Sequence, residues 1–282
     1  MLFVVFVVML MGMGWLIGLY IGDMLAAMVL MLIIIIVYSF IAFLFGSAII
    51  LSMSGAKEAT KPEYTYYINT VEGLALAAGI PTPKCYVIQD ASPNAFATGM
   101  SPKSGAVSVT TGLLEKLNRQ ELEGVIAHEI AHIKNYDIRT MLVATIFVGL
   151  VTLLSDFFLR MTIYGAAGRR GGGDGRTQMV MIVVGLLLAI LAPIVAYLIK
   201  LAISRKREYV ADAEGARLTR YPEGLASALE KITGTASTLR NANNATAHMY
   251  ISSPFAGKKG FMRNLFSTHP PADERIKRLR AM

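Results

Sequence analysis

The stretch Asn118–Asp137, NRQELEGVIAHEIAHIKNYD, decides how the rest of the chain is read. Asn118 followed by Glu121 has the form of a helix N-cap with an acidic residue at the third position, so a helix starts near Arg119. On that helix His128 and His132 are four residues apart, which puts both imidazoles on one face about 6 Å apart along the axis. Two imidazoles so placed can reach one zinc ion. Glu129, beside the first of them, can stand next to an open coordination position, take a proton from an attacking water and pass it on. Ala127, Ile130 and Ala131 are apolar, as a buried ligand helix requires. Asp137, five residues beyond His132, caps or orients this helix.

A zinc ion that does chemistry takes a third protein ligand and keeps one position open. His248, within NATAHMY, has no partner at ligand spacing and reads as a structural or surface histidine. His269 precedes Pro270 and Pro271, ahead of a basic helix Ala272 to Arg280; it either donates to an oxyanion or docks the tail. The segment Ser204–Leu218, SRKREYVADAEGARL, reads as a helix with Glu208 and Asp212 on one face. Glu208 suits a carboxylate ligand, and Asp212 can hydrogen-bond the far nitrogen of a ligand histidine and fix its tautomer. The alternative is a solvated face of mixed charge, since Arg205, Lys206, Arg207 and Glu214 surround the pair. HEIAH is the zincin motif and lacks a third ligand, which favours the ligand reading.

Outward from these helices the composition takes over. Of 282 residues, 54% are hydrophobic and only 16% charged, and the mean hydropathy is +0.52, which points to a membrane rather than a soluble domain. The formal net charge of +8 is spread over several stretches instead of gathered on one, so anionic lipid fits it better than nucleic acid. Cys85 is the single cysteine; it excludes an intramolecular disulfide and a Cys-rich zinc knuckle, and reads as a small buried hydrophobe in a strand. The sixteen methionines show no regular pair spacing and read as packing or lipid-facing residues rather than a copper path.

Leu2 to Ile21 and Met24 to Leu51 are uncharged runs long enough to span, and the short gap between them makes a helical hairpin over residues 1–51. Gly12, Gly14 and Gly18 supply small residues for close approach. Met141 to Ser155 and Met179 to Ile199 are two further apolar runs within 141–203, separated by the Gly/Arg-rich loop 165–176. The first is short for a span, and Pro193 predicts a kink in the second. With about four spans, residues 52–140 and 204–282 fall on one side as two parts of one catalytic domain. Lys57, Lys61, Lys134, Arg139 and Lys200 put that side in the cytoplasm, although Arg160, Arg169, Arg170 and Arg176 argue the other way and keep open a version in which the third and fourth runs form a re-entrant or partly embedded hairpin.

Lys84 to Gln89 and Ala106 to Thr110 read as strands, with turns at Asp90–Asn94 and Ser101–Gly105 and a third extended piece between them; Thr111 to Leu117 reads as a short helix. In the third piece, Asn94, Ala95, Phe96 and Ala97 form either an exposed edge strand, to which a peptide substrate can add, or an ordinary strand inside the sheet.

HEIAHIKNYD, SRKREYVADAEGA and STHPPADERIKRL together resemble the HtpX heat-shock peptidases, relatives of the CAAX prenyl proteases. The likeness runs through essentially the whole chain, including SPNAFATG. It implies a gluzincin-type catalytic domain in a mainly α membrane protein with a small β-sheet, one zinc ion held by His128, His132 and Glu208, and Glu129 as base. It also implies an integral, multi-pass protein of a bacterial or archaeal inner membrane that degrades damaged or misfolded membrane proteins, and it favours substrate addition at Asn94–Ala97. A CAAX prenyl-type protease and a non-enzymatic zinc-bearing membrane chaperone or scaffold are the rival expectations, and homo-oligomerisation is left open.

Overall fold

The structure is a computed structural model and describes residues 2–146, 149, 205–235, 249–251 and 270–282. It divides into two compact units, one of residues 1–45 and 144–199, the other of residues 46–143 and 200–282.

Helix α1 (Leu2–Ile21), in the first unit, and helix α2 (Met24–Met53), which belongs to that unit as far as Phe45, are both uncharged from end to end. The turn between them needs Gly22 at φ +87°, and Asp23 Oδ1 accepts from Ala26 N at 3.0 Å to start α2. A Cβ at Gly18 would meet Met24 Cα at 2.5 Å, so the close approach of the two helices requires glycine there. Gly14 lies against Met31, whereas Gly12 faces open space and takes no part in the contact. Among the described residues α2 is the one helix long and apolar enough to cross a membrane; its 30 residues extend about 45 Å at 1.5 Å per residue, against about 30 Å for a bilayer core. Leu25, Phe40 and Phe43 stand exposed on it, the surface a lipid-facing helix presents. The apolar run expected over Met141 to Ser155 is described only at 141–146 and 149, where it is helical, and that over Met179 to Ile199 lies outside the described residues.

The second unit carries a four-stranded mixed sheet in the order β1 (Ala56–Glu58), β2 (Lys84–Ile88), β4 (Ala106–Thr110), β3 (Ala95–Thr98). β2 and β4 run parallel, and β1 and β3 pair antiparallel at the two edges. Cys85, Val87, Val107 and Val109 are buried, so the Cys85 thiol is a packing atom, and burial pushes it up to about 11. Helix α3 (Lys61–Ala78) begins with Pro62 in its first turn and stops at Gly79, whose φ of +73° closes the helix in the left-handed conformation. Helix α4 (Thr111–Lys116) follows β4 directly, capped by Thr110.

Helix α5 (Arg119–Lys134) lies at the centre of this unit, with every residue from Leu122 to Ile133 except Glu123 buried. Its first turn is the reciprocal cap expected from sequence: Asn118 Oδ1 accepts from Glu121 N and Glu121 Oε2 accepts from Asn118 N, each at 2.9 Å. Helix α6 (Arg205–Thr219), helix α7 (Pro222–Thr233) and helix α8 (Ala272–Leu279) complete the unit. Two glycines bring α6 and α7 onto α5. A Cβ at Gly215 of α6 would lie 3.1 Å from His128 N, and one at Gly124 of α5 would lie 2.5 Å from Leu225 N of α7. Lys231 Nζ donates to Glu121 Oε2 at 2.7 Å and ties α7 to the start of α5. Arg280, just beyond α8, bonds Glu223 and Glu230 of α7 and fastens the end of the chain.

Candidate metal centre

His128, Glu129 and His132 leave α5 on its buried side, at 1%, 3% and 2% exposure. Glu208, in the first turn of α6, is fully buried against them. The Nε2 atoms of the two histidines face each other at 3.1 Å. Glu208 Oε2 lies 3.8 Å from His128 Nε2, and Glu208 Oε1 lies 3.4 Å from His132 Nε2. One donor atom from each of the three residues falls within 4.8 Å of the other two, a group that can hold a metal ion. Two imidazoles and a carboxylate are a donor set that zinc accepts, and burial keeps water from competing for it.

The opposite nitrogens of the rings are held by carboxylates. His128 Nδ1 lies 3.0 Å from Asp212 Oδ1 on α6, and His132 Nδ1 lies 3.0 Å from Asp137 Oδ2. An ionised carboxylate only accepts, so each Nδ1 carries the proton of its bond and each Nε2 is the nitrogen turned toward the other ring and Glu208. Burial drives the His128 imidazole down to about 4, which keeps it neutral and able to ligate. Burial alone would raise the Asp212 carboxyl, but the charge of Arg275 and the bonds from His128 and Arg275 outweigh it and hold it at about 2.

Asp212 therefore stands where the sequence reading expects it, against the far side of a histidine. Asp137 does more than cap or orient a helix: it bonds the His132 ring itself and pairs with Arg207. Arg275 was not singled out from sequence. It lies on α8, read from sequence only as a basic helix, and is 1% exposed. Its Nε and Nη2 donate to the two Asp212 oxygens at 2.9 and 2.6 Å, and its Nη1 is 3.7 Å from Glu208 Oε2. The available signal is the amphipathic spacing of Arg275, Ile276 and Leu279, the buried residues of α8.

Asn94, Ala95, Phe96 and Ala97 belong to β3 and the residue before it, at the edge of the sheet as the first expectation has it, but the strand is buried rather than exposed. Thr110 N donates to Asn94 O on the β4 side, so the Ala95 carbonyl points outward, and Ile251 N donates to it at 2.9 Å. Tyr250 packs edge-on against Phe96 with ring centroids 5.1 Å apart. A short stretch of bent backbone, residues 249–251, therefore already covers part of this edge. His248 and His269, and with them the oxyanion role considered for His269, lie outside the described residues.

Residues 62–282 match peptidase family M48. A protease HtpX homolog of Dictyoglomus thermophilum is 57% identical over 234 residues, 83% of this chain and 75% of that protein. One of Caldanaerobacter subterraneus subsp. tengcongensis is 46% identical over 280 residues, 99% of this chain and 92% of the relative. Among solved structures, S. mikatae Ste24p is similar with a TM-score of 0.55 at 20% identity; the match covers 96% of this chain but 62% of that longer one, and shows a shared fold. The chain therefore belongs to peptidase family M48 and is a membrane metallopeptidase that uses zinc.

Proposed function

We propose that this chain cuts misfolded or damaged membrane proteins internally, with one zinc ion on His128, His132 and Glu208, and with Glu129 as the base. The observation that carries this reading is the convergence of the two Nε2 atoms and the Glu208 carboxylate within 4.8 Å in a buried site, each ring held from behind by its own aspartate. Zinc, when bound, polarises the scissile carbonyl and makes water a stronger acid. The residues of the chain do the rest. His128 and His132 are oriented through Asp212 and Asp137. Glu129, next to His128 on the same helix, takes a proton from the attacking water and returns it to the leaving amine.

The substrate backbone pairs with the outer edge of β3 over Asn94–Ala97, which suits cleavage with loose side-chain preference. Ile251 occupies the Ala95 position of that edge, so pairing either starts at Ala97 or displaces Ile251. The catalytic unit lies at the cytoplasmic face, with residues 52–140 and 204–282 on one side of the bilayer. Four spans, two of them the apolar runs at 141–155 and 179–199, give that topology. A CAAX prenyl-type reaction is separated from this one by comparing a farnesylated with an unmodified peptide; equal cleavage of the two removes it.

The test is Glu129→Gln, assayed on casein and a membrane substrate in detergent, with zinc measured on the same sample. Retained zinc with cleavage down at least about a hundredfold, the lower end of what general bases contribute, is the expected result. Unchanged cleavage with zinc bound would end the assignment.

A further inference from the structure

Among the described residues Arg275 is the one buried arginine or lysine, and what it touches is unusual for a residue of a short basic helix. A guanidinium taken out of water needs carboxylates in good geometry, or its desolvation goes uncompensated. Arg275 meets Asp212 fork to fork, through Nε and Nη2, at 2.9 and 2.6 Å, the bidentate arrangement that fixes both planes. Asp212 Oδ1, which receives Nη2, also receives His128 Nδ1 at 3.0 Å. Arg275 Nη2 lies 3.5 and 3.4 Å from the two ring nitrogens of His128, and Nη1 reaches toward Glu208.

We propose that Arg275 is a positioning residue for the metal centre: by clamping Asp212 it holds His128 in the tautomer and rotamer that present Nε2 to the ion. An aspartate with one partner can rotate about its Cβ–Cγ bond and let the imidazole turn with it. Gripped on both oxygens, its carboxylate keeps one plane, and His128 has one way to bond it. The three residues come from α8, α6 and α5, with Arg275 lying 63 residues from Asp212 and 147 from His128 in sequence. The Arg275–Asp212 contact itself, rather than the anchoring of the helix end by Arg280, thereby links α8 to the metal centre. Lysine would supply the charge as a point, without the planar fork.

This rests on the ligand set proposed above, and the experiment separates the two. Zinc affinity is measured by chelator competition on the full chain in detergent, alongside thermal stability of the metal-free protein and the visible spectrum of the cobalt-substituted form. The variants are Arg275→Lys, Arg275→Met, Arg280→Ala and Glu208→Ala. Arg275→Lys is expected to fold, to bind zinc about tenfold to a hundredfold more weakly, the range seen for partners one bond removed from a metal, and to shift the cobalt spectrum. Arg280→Ala releases the end of the chain from Glu223 and Glu230 without touching Asp212, and is expected to lower stability while leaving affinity within about twofold. Wild-type affinity and spectrum in Arg275→Lys overturn the proposal, whether or not Arg275→Met folds. If Glu208→Ala keeps full zinc affinity, the ligand set itself fails; if it loses zinc while Arg275→Lys does not, only the role of Arg275 falls.

Discussion

Each histidine of the centre is backed by an aspartate and an arginine, yet the two supports are built in opposite ways. Behind His132 the aspartate comes from five residues along the same stretch, and its arginine, Arg207, is half exposed. Behind His128 the aspartate comes from another helix and the arginine from a third, and both are shut away from water. A charge pair open to solvent is screened and contributes little, while a buried one keeps most of its directional force and is costly to break. One histidine is thus held by a nearby aspartate with a half-exposed arginine, a soft support, and the other by a distant, buried and stiff one.

The harshest way to break the comparison is to remove the point where both rings converge. Glu208→Ala takes out the carboxylate facing the two Nε2 atoms, and zinc affinity should fall by more than the roughly tenfold to hundredfold that outer partners carry. Chelator competition and metal content measure it. Retention of stoichiometric zinc at micromolar chelator would show that the ion sits elsewhere. Asp212→Asn comes next. It keeps the shape but lets the amide present either an acceptor or a donor to His128, and it leaves Arg275 buried with no ionised partner on that side. A loss of about tenfold to hundredfold in zinc affinity is expected, together with a clear drop in melting temperature, since a buried charge stripped of its partner costs about 3–5 kcal/mol. Equal stability of wild type and variant would mean that the buried pair is weaker than its geometry implies.

These two predictions also mark what could be read before the fold was known. The HEIAH helix, its Asn118–Glu121 cap and the strands at Lys84 and Ala106 are local patterns: spacing of 3.6 or 2 and a side chain bonding its own neighbourhood. Such features are written within a dozen residues, and the structure has them where the sequence places them. Glu208 and Asp212 were legible because four-residue spacing put them on one face and the motif lacked a ligand. That Asp212 reaches His128 rather than His132 was not, because it depends on α6 crossing α5 at Gly215. Arg275 was hidden by its neighbours: in DERIKRL every charge reads as solvated until the helix is docked. The burial of β3 was hidden likewise, since the backbone that covers Ala95 comes from Ile251. α3 and α7 carry ordinary helix signals, Pro62 with Gly79 and Pro222 with Gly234, but no chemistry drew the reading to them.

Gly215 sharpens the comparison because the close approach it permits is to the backbone at His128. It lies one turn beyond Asp212 on α6, where a Cβ would sit 3.1 Å from His128 N and 3.3 Å from Ala127 C. Those are backbone atoms of a buried helix, so they cannot swing aside as a side chain can. Gly215→Val should push α6 off α5 at this point, with an overpacking cost of about 1–3 kcal/mol read as a lower melting temperature. Zinc affinity should weaken several-fold because Asp212 and Glu208, both on α6, move away from His128. The His132–Asp137 bond itself, which does not involve α6, should be kept. Combining Gly215→Val with Asp212→Asn tests this: if the valine acts through Asp212, the double variant binds zinc no worse than Asp212→Asn alone, and full additivity would show another route.

The smallest effect belongs to Arg207→Ala. Asp137 is buried, but the arginine that pairs with it is exposed over half its side chain, and water can take over the freed carboxylate oxygen. Exposed pairs contribute about 0–1 kcal/mol, so zinc affinity in the variant should stay within a few-fold of wild type. The small difference should also vanish as salt is raised from 0.05 to 0.5 M, because the Debye length shrinks from above about 10 Å toward contact distance. Asp137→Asn provides the reference: it acts on the His132 bond itself, and its effect should persist in salt. If Arg207→Ala weakened zinc binding as much as Asp137→Asn, and did so equally at both salt concentrations, the two supports would be alike in stiffness, and exposure would not be what distinguishes them.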